Sequence, residues 1–129
     1  MNEPTEIEGR EFDWFSIDRD GRYAIFATGG YGIAPETARD KAATYDAIRE
    51  FIPVTGWGSA AVWQSFARVG LYAYDWSHMQ GCYVRVALPE VPLSPRLAVE
   101  LAACDGLYQF DMSFSNTGMI WPDWRNGDS

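Results

Sequence analysis

Residues 12–28 read FDWFSIDRDGRYAIFAT, two aromatic and β-branched runs on either side of the tetrapeptide Asp18-Arg-Asp-Gly21. Such runs favour strands, and Asp and Gly are typical of the tight turn that joins two antiparallel strands. The stretch therefore predicts a β-hairpin and places the start of the fold near Phe12. Residues 1–10 offer little to bury, and we expect them to form a mobile lead-in.

Further strands are predicted towards the C-terminus. Residues 71–76 and 82–88 repeat the aromatic and β-branched character around a short loop, which predicts a second hairpin. Over residues 108–114, apolar residues alternate strictly with polar ones, as in a strand with one buried face.

Apolar spacing predicts helices elsewhere. After Pro35, apolar residues recur at helical spacing to about residue 51, where Pro53 ends the helix. Arg49 falls inside this apolar stripe, so its side chain must reach solvent or find a carboxylate partner. A short helix is predicted from Ser59 to Gly70, and another from Ser94 to Gly106.

These elements together predict an α+β fold. Hairpins form antiparallel strand pairs, so we expect a mainly antiparallel sheet of two hairpins plus a C-terminal strand. About three helices should pack on one face of it. At 129 residues, without a repeat, the chain is expected to form a single domain over residues 1–129.

The chain is acidic, with 18 acidic against 10 basic residues and a formal net charge of −8. Such a charge repels phosphate backbones, which argues against direct nucleic-acid binding. It attracts a basic protein and raises the association rate, although acidity can also serve solubility alone. We therefore expect a protein partner, and the charge favours a basic one.

The sequence shows no pattern of membrane insertion or export. Its longest charge-free stretch, residues 51–67, is interrupted by proline, glycine and polar residues, so we expect no membrane partner. The N-terminal residues lack the basic and apolar regions of a secretory signal, and we expect a cytoplasmic protein.

No motif of catalysis or metal binding is complete. His78, Cys82 and Cys104 lack the paired spacing of zinc sites, and neither cysteine has the surroundings of a nucleophile. We expect no metal, no cofactor and no enzymatic activity. A ligand-binding domain or small enzyme would instead need a deep pocket that contains acids such as Asp75 with aromatic residues around it.

Candidate contact residues for a partner lie in or beside predicted loops, where recognition residues are often found. Trp57 stands between two glycines, and Asp75 interrupts an aromatic strand, where it could simply face outward. The predicted partner-binding residues are Asp18, Asp20, Tyr31, Trp57, Asp75 and Glu90.

Over residues 12–93 the sequence resembles a group of small bacterial proteins. The likeness lies in DWFSIDRDG at residues 13–21 and FATGGYG at residues 26–32. It continues in GLYAYDW at residues 70–76, YVRVA at residues 83–87 and Pro92-Leu93. Some such proteins look like immunity proteins of toxin or secretion-system effector pairs. The resemblance implies an inhibitor that occludes a toxin's active site or locks the toxin inactive.

The sequence thus favours an immunity-type protein that neutralises a cognate bacterial toxin by stoichiometric binding. Another kind of interaction or regulatory module is the alternative, followed by a small ligand-binding domain or an enzyme.

Overall fold

The computed structural model of the protein describes residues 12–29 and 32–122. The expected lead-in at residues 1–10 lies outside these residues. The described strands are β1 (Asp13–Ile17), β2 (Tyr23–Ala27), β3 (Tyr72–Ser77), β4 (Cys82–Ala87), β5 (Tyr108–Gln109) and β6 (Met119–Ile120). The α-helices are α1 (Glu36–Asp40), α2 (Ala42–Arg49), α3 (Val62–Ala67) and α4 (Pro95–Ala102).

The α+β class and both hairpins are confirmed. Strand β1 pairs with β2 and β3 pairs with β4, each antiparallel. The hairpin turn after β1 is closed by the carboxylate of Asp18, whose Oδ1 accepts the backbone N–H groups of Asp20 and Arg22 at 2.9 Å. An aspartate that caps its own turn in this way explains why this tetrapeptide turns the chain.

The sheet is mixed, which corrects the prediction of a mainly antiparallel one. Its strands lie in the order β5-β1-β2-β3-β4-β6, with β2 parallel to β3 and β1 parallel to β5. The physical reason is the connection between the hairpins: α1, α2 and α3 lie between β2 and β3 in the chain. A helical crossover of this length returns the chain in the same direction, so the two hairpins join through a parallel pair.

The predicted helix over residues 35–51 is divided into α1 and α2 at Lys41. The N–H of Lys41 donates to the oxygen of Ala38, three residues back, so one tight turn interrupts the α-helical pattern. Both parts keep the predicted apolar face, because Ala38, Ala42, Tyr45 and Ile48 are all buried. The division raises the number of α-helices from about three to four.

The predicted strand over residues 108–114 is only partly formed. Tyr108 and Gln109 pair with β1, after which the chain leaves the sheet and forms a 3₁₀ turn at Phe114–Asn116. Asp18 Oδ2 accepts the N–H of Phe114 at 2.8 Å, and Arg85 donates to the oxygen of Phe114. Side chains therefore take the hydrogen bonds that a strand ladder would have made.

The two faces of the sheet carry different layers. On one face, which we call the aromatic face, Phe26 stacks on Trp14 and Tyr74 at centroid distances of 4.3 and 4.9 Å. Phe110 and Phe114 from the C-terminal segment pack against Phe26 there. On the other face, which we call the helical face, Phe15 meets Tyr45 of α2, and α3 packs against β3 and β4.

Candidate functional site

A row of two aspartates and an alanine crosses the helical face at the start of β1 and the end of β2. Asp13 of β1 is the register partner of Ala27 in β2, and Ala27 is the partner of Asp75 in β3. Register partners project to the same side of a sheet. Because neighbouring strands lie about 4.8 Å apart, the Cα atoms of the two aspartates are about 10 Å apart. Between their side chains lies only the methyl group of Ala27. The small Ala27 leaves space between two carboxylates.

This space is the floor of a cleft of about 510 Å³. Helix α2 provides Asp46 and Arg49 along one wall, while α3 provides Trp63 and Phe66 on the other. The loop before α3 closes the rim with Trp57. The volume falls within the range of ordinary ligand pockets, roughly 300–1,000 Å³. The cleft is thus large enough to take a side chain or a small molecule.

Arg49 fulfils the prediction made for it, because it finds a carboxylate partner. Its Nε lies 2.9 Å from Oδ2 of Asp13, with side-chain exposures of 27% for Arg49 and 20% for Asp13. Its guanidinium carbon also lies 5.0 Å from the centroid of the Trp57 ring, within the range of a cation–π contact. The cleft therefore already holds one guanidinium group between a carboxylate and an indole.

The turn that carries Trp57 is held by short-range hydrogen bonds. Ser59 Oγ donates to the oxygen of Gly56 at 2.8 Å and accepts the N–H of Ala61 at 3.2 Å. The buried Ser65 Oγ accepts the N–H of Thr55 at 2.9 Å. These bonds anchor both ends of the loop, while Trp57 itself remains 66% exposed. A large apolar ring is thereby presented to solvent at the rim of the cleft.

The cleft has a negative lining. Its described lining residues include three carboxylates, Asp13, Asp46 and Asp75, against a single cation, Arg49, which leaves a formal charge of −2. Such a lining favours a cationic or hydrogen-bond-donating group and repels phosphate and carboxylate groups. Aromatic rings beside the carboxylates add contact area and cation–π attraction.

Of the residues predicted from the sequence, the structure brings two together in the cleft, Trp57 and Asp75. Asp20 and Glu90 are exposed but are not among the residues that line the cleft. Asp18 does not have the expected exposure: it is 1% exposed, and its carboxylate binds three backbone N–H groups. Tyr31 lies outside the described residues.

Sequence reasoning missed most of the cleft. Asp13, Asp46 and Trp63 were not predicted as site residues, although they line the cleft with Arg49. The position of Arg49 within an apolar stripe was the one available signal. This position indicated that Arg49 needs a partner but not which residue the partner is. Asp13 is 36 positions away in the chain and contacts Arg49 only because α2 packs on β1.

Metal and membrane sites receive no support from the described part of the chain. Within residues 12–29 and 32–122, no three His, Cys, Asp or Glu side chains are grouped so as to hold a metal ion. Burial raises the pKa of the Cys82 thiol, which keeps it protonated at neutral pH. None of the helices in those ranges has the length and apolar character needed to cross a bilayer.

Comparisons with known proteins do not extend this picture. Searches against protein-family models, curated proteins and solved structures gave no match to this chain.

Proposed function

We propose that this is an immunity-type protein, which neutralises a cognate bacterial toxin by stoichiometric binding, with the acidic cleft at the centre of the interface. The observation that carries the proposal is the exposed Trp57 at the rim of a cleft lined by three carboxylates. Tryptophan, arginine and charged partners dominate the binding energy of many protein interfaces. The cleft collects these residue types on one side of the molecule.

Charge supports a basic partner. The net charge of −8 and the formal charge of −2 in the cleft have the same sign, so the molecule as a whole attracts a basic partner and the cleft adds to that attraction. Such attraction raises the association rate. A fast association suits a protein that neutralises a toxin. The association rate should therefore fall as salt screens the charges.

Trp57 and Arg49 provide the contact area. An indole with 66% of its surface exposed gains free energy when a partner covers it. Arg49 is held by Asp13 and Trp57 before any partner arrives, so little conformational entropy is lost when the face binds. Preorganisation of this kind favours tight binding. The same acidic face opposes direct nucleic-acid binding. We propose that the protein binds its toxin in the cytoplasm.

Co-expression with the product of the neighbouring open reading frame tests the proposal. Growth is measured with and without this protein, and affinity purification then asks whether the two chains elute together. The expected result is a toxic neighbour, restored growth and a one-to-one complex. A harmless neighbour that does not co-purify would overturn the immunity function. A complex without toxicity would instead indicate a regulatory interaction module.

A second candidate function is that of a small ligand-binding domain. The cleft of about 510 Å³ favours it, because carboxylates and aromatic residues surround the space that such a domain requires. A thermal-shift screen of small organic cations against the purified protein separates the two functions. A ligand that binds the purified protein tightly, with no effect of the neighbouring gene product on growth, would favour the ligand-binding domain.

A further inference from the structure

We infer that the acidic cleft receives the guanidinium group of an arginine side chain presented by the partner protein. The inference rests on the proposed function and deepens it, because it names the chemical group that the interface recognises. The occupant is argued from the contacts of Arg49, from the charge of the lining and from the row of Asp13, Ala27 and Asp75.

Arg49 shows how this cleft binds a guanidinium group. One edge of the group meets the Asp13 carboxylate at 2.9 Å, and its carbon lies 5.0 Å from the centroid of the Trp57 ring. A planar, weakly hydrated cation makes both contacts together, whereas an ammonium group is compact and strongly hydrated. The surroundings of Arg49 therefore favour guanidinium over ammonium.

The negative charge of the lining and the space in the cleft both allow a second guanidinium group to bind. With Arg49 included, the described lining still carries a formal charge of −2, so one added cation leaves it at −1. Asp75 stands across Ala27 from the pair of Asp13 and Arg49, and Trp63 lies on the wall of α3. An entering guanidinium can thus meet a carboxylate beside an aromatic ring, in the manner of Arg49.

Other groups fit this lining less well. The three carboxylates would repel a phosphate or carboxylate group. Among the described lining residues the one cation is Arg49, which already pairs with Asp13, so little would offset the cost of desolvating the anion. A purely apolar side chain would cover this charged lining without adding a cation to it. Arginine brings both a cation for the acidic lining and a planar group for the aromatic rings.

The test uses N-acetyl-L-arginine amide, N-acetyl-L-lysine amide and N-acetyl-L-citrulline amide as probes of the purified protein. Citrulline is the neutral isostere of arginine and serves as the matched control. In ¹⁵N-resolved NMR titrations, the arginine probe should shift the signals of cleft residues most, the lysine probe less, and the citrulline probe hardly at all. Equal shifts with arginine and citrulline, or shifts outside the cleft, would overturn the inference.

The variant Asp75→Asn sharpens the test. Loss of a charge-assisted hydrogen bond should weaken binding of the arginine probe by about tenfold. Asp111→Asn, which removes an exposed carboxylate outside the cleft lining, is the control and should leave binding unchanged. If Asp75→Asn does not fold, the comparison of arginine with citrulline on the unmodified protein still decides the matter.

The probe experiment and the co-expression experiment can fail separately. Selective arginine binding without a toxin would leave the guanidinium site standing as a property of the cleft, while the immunity function fails. Neutralisation of a toxin without selective arginine binding would leave the function standing and overturn the inference.

Discussion

Asp18 shows how a single carboxylate can organise distant parts of the chain. Its two oxygens accept N–H groups from Asp20 and Arg22 in the hairpin turn and from Phe114 near the C-terminus. The third bond joins residues 96 positions apart. The side chain that the sequence suggested for partner contact is therefore committed to holding the β1–β2 turn against the C-terminal segment.

Replacing Asp18 should destabilise the protein. Asp18→Ala removes the acceptor of three backbone N–H groups, of which that of Phe114 is buried, and should lower the free energy of unfolding by about 3 kcal/mol. Asp18→Asn keeps one acceptor oxygen and should cost about half as much. Urea denaturation followed by circular dichroism measures both. Arg19→Ala, at an exposed position of the same turn, is the control and should have a small effect. An equally small effect for Asp18→Ala would contradict the structural role.

At two positions the sequence singled out residues that the structure places in the cleft, and their part in binding stays a prediction. Trp57 between glycines and Asp75 within an aromatic strand were singled out from the sequence, and both line the cleft. Asp18 and Asp13 could not be interpreted in the same way. Their roles depend on Phe114 and Arg49, and no local pattern reveals contacts over such separations.

At the scale of elements, the junction between α3 and β3 has the closest approach of other atoms to any described glycine. Gly70 ends the α3 turn with a φ of +91°, and a Cβ there would lie 2.4 Å from the Cα of Leu93. The N–H of Ser94 donates to the oxygen of Val69 at 2.8 Å, which fixes the approach of the two segments. Only glycine allows both the conformation and the contact.

Gly70→Ala should therefore cost more than a left-handed glycine normally does. Gly81→Ala in the β3–β4 turn is the matched control, because Gly81 also has a positive φ, +71°, but has open space around it. We expect a loss of about 1 kcal/mol for Gly81→Ala and of more than about 3 kcal/mol for Gly70→Ala. Thermal unfolding of both variants measures the difference. Equal losses would show that conformation alone matters at Gly70.

The elements with local signals were predictable, and their arrangement was less so. Both hairpins and the helix α4, with Pro95 at its first position, follow from patterns within about ten residues. The parallel pairing of β2 with β3 depends on how α1, α2 and α3 pack, which alternation along a strand does not encode. The predicted strand over residues 108–114 forms only at Tyr108–Gln109, because alternating aromatic residues also suit a segment that packs on the aromatic face.

At the scale of the whole molecule, a core rich in tyrosine makes stability depend on alkaline pH. Burial raises the pKa values of Tyr45, Tyr74 and Tyr83 above the ordinary value near 10. Tyr74 donates to the oxygen of Thr117, and Tyr83 donates to the oxygen of Ile33. In the unfolded chain these hydroxyls ionise near pH 10, while in the folded protein they stay neutral to higher pH.

Stability should therefore be intact below about pH 10 and should fall above it. Urea midpoints measured between pH 8 and pH 11 test this, with a decline that reflects up to three protons, one for each buried tyrosine. Tyr45→Phe should reduce the decline and cost little at neutral pH. Within the described residues the Tyr45 hydroxyl has no hydrogen bond of ordinary geometry, and its neighbour is the Cys104 thiol, a weak hydrogen-bonding group. A midpoint that does not change up to pH 11 would contradict the account.

The whole molecule is also acidic, and its cleft concentrates that charge beside an exposed tryptophan. The central claim is that this face binds the toxin. The most direct measurement is the affinity of purified toxin for Trp57→Ala and for Trp121→Ala, where Trp121 is a comparably exposed tryptophan outside the cleft lining, at 53% against 66% for Trp57. Trp57→Ala should weaken binding by about tenfold or more, and Trp121→Ala by less than about twofold. Unchanged affinity for Trp57→Ala, or an equal loss for both variants, would contradict the claim.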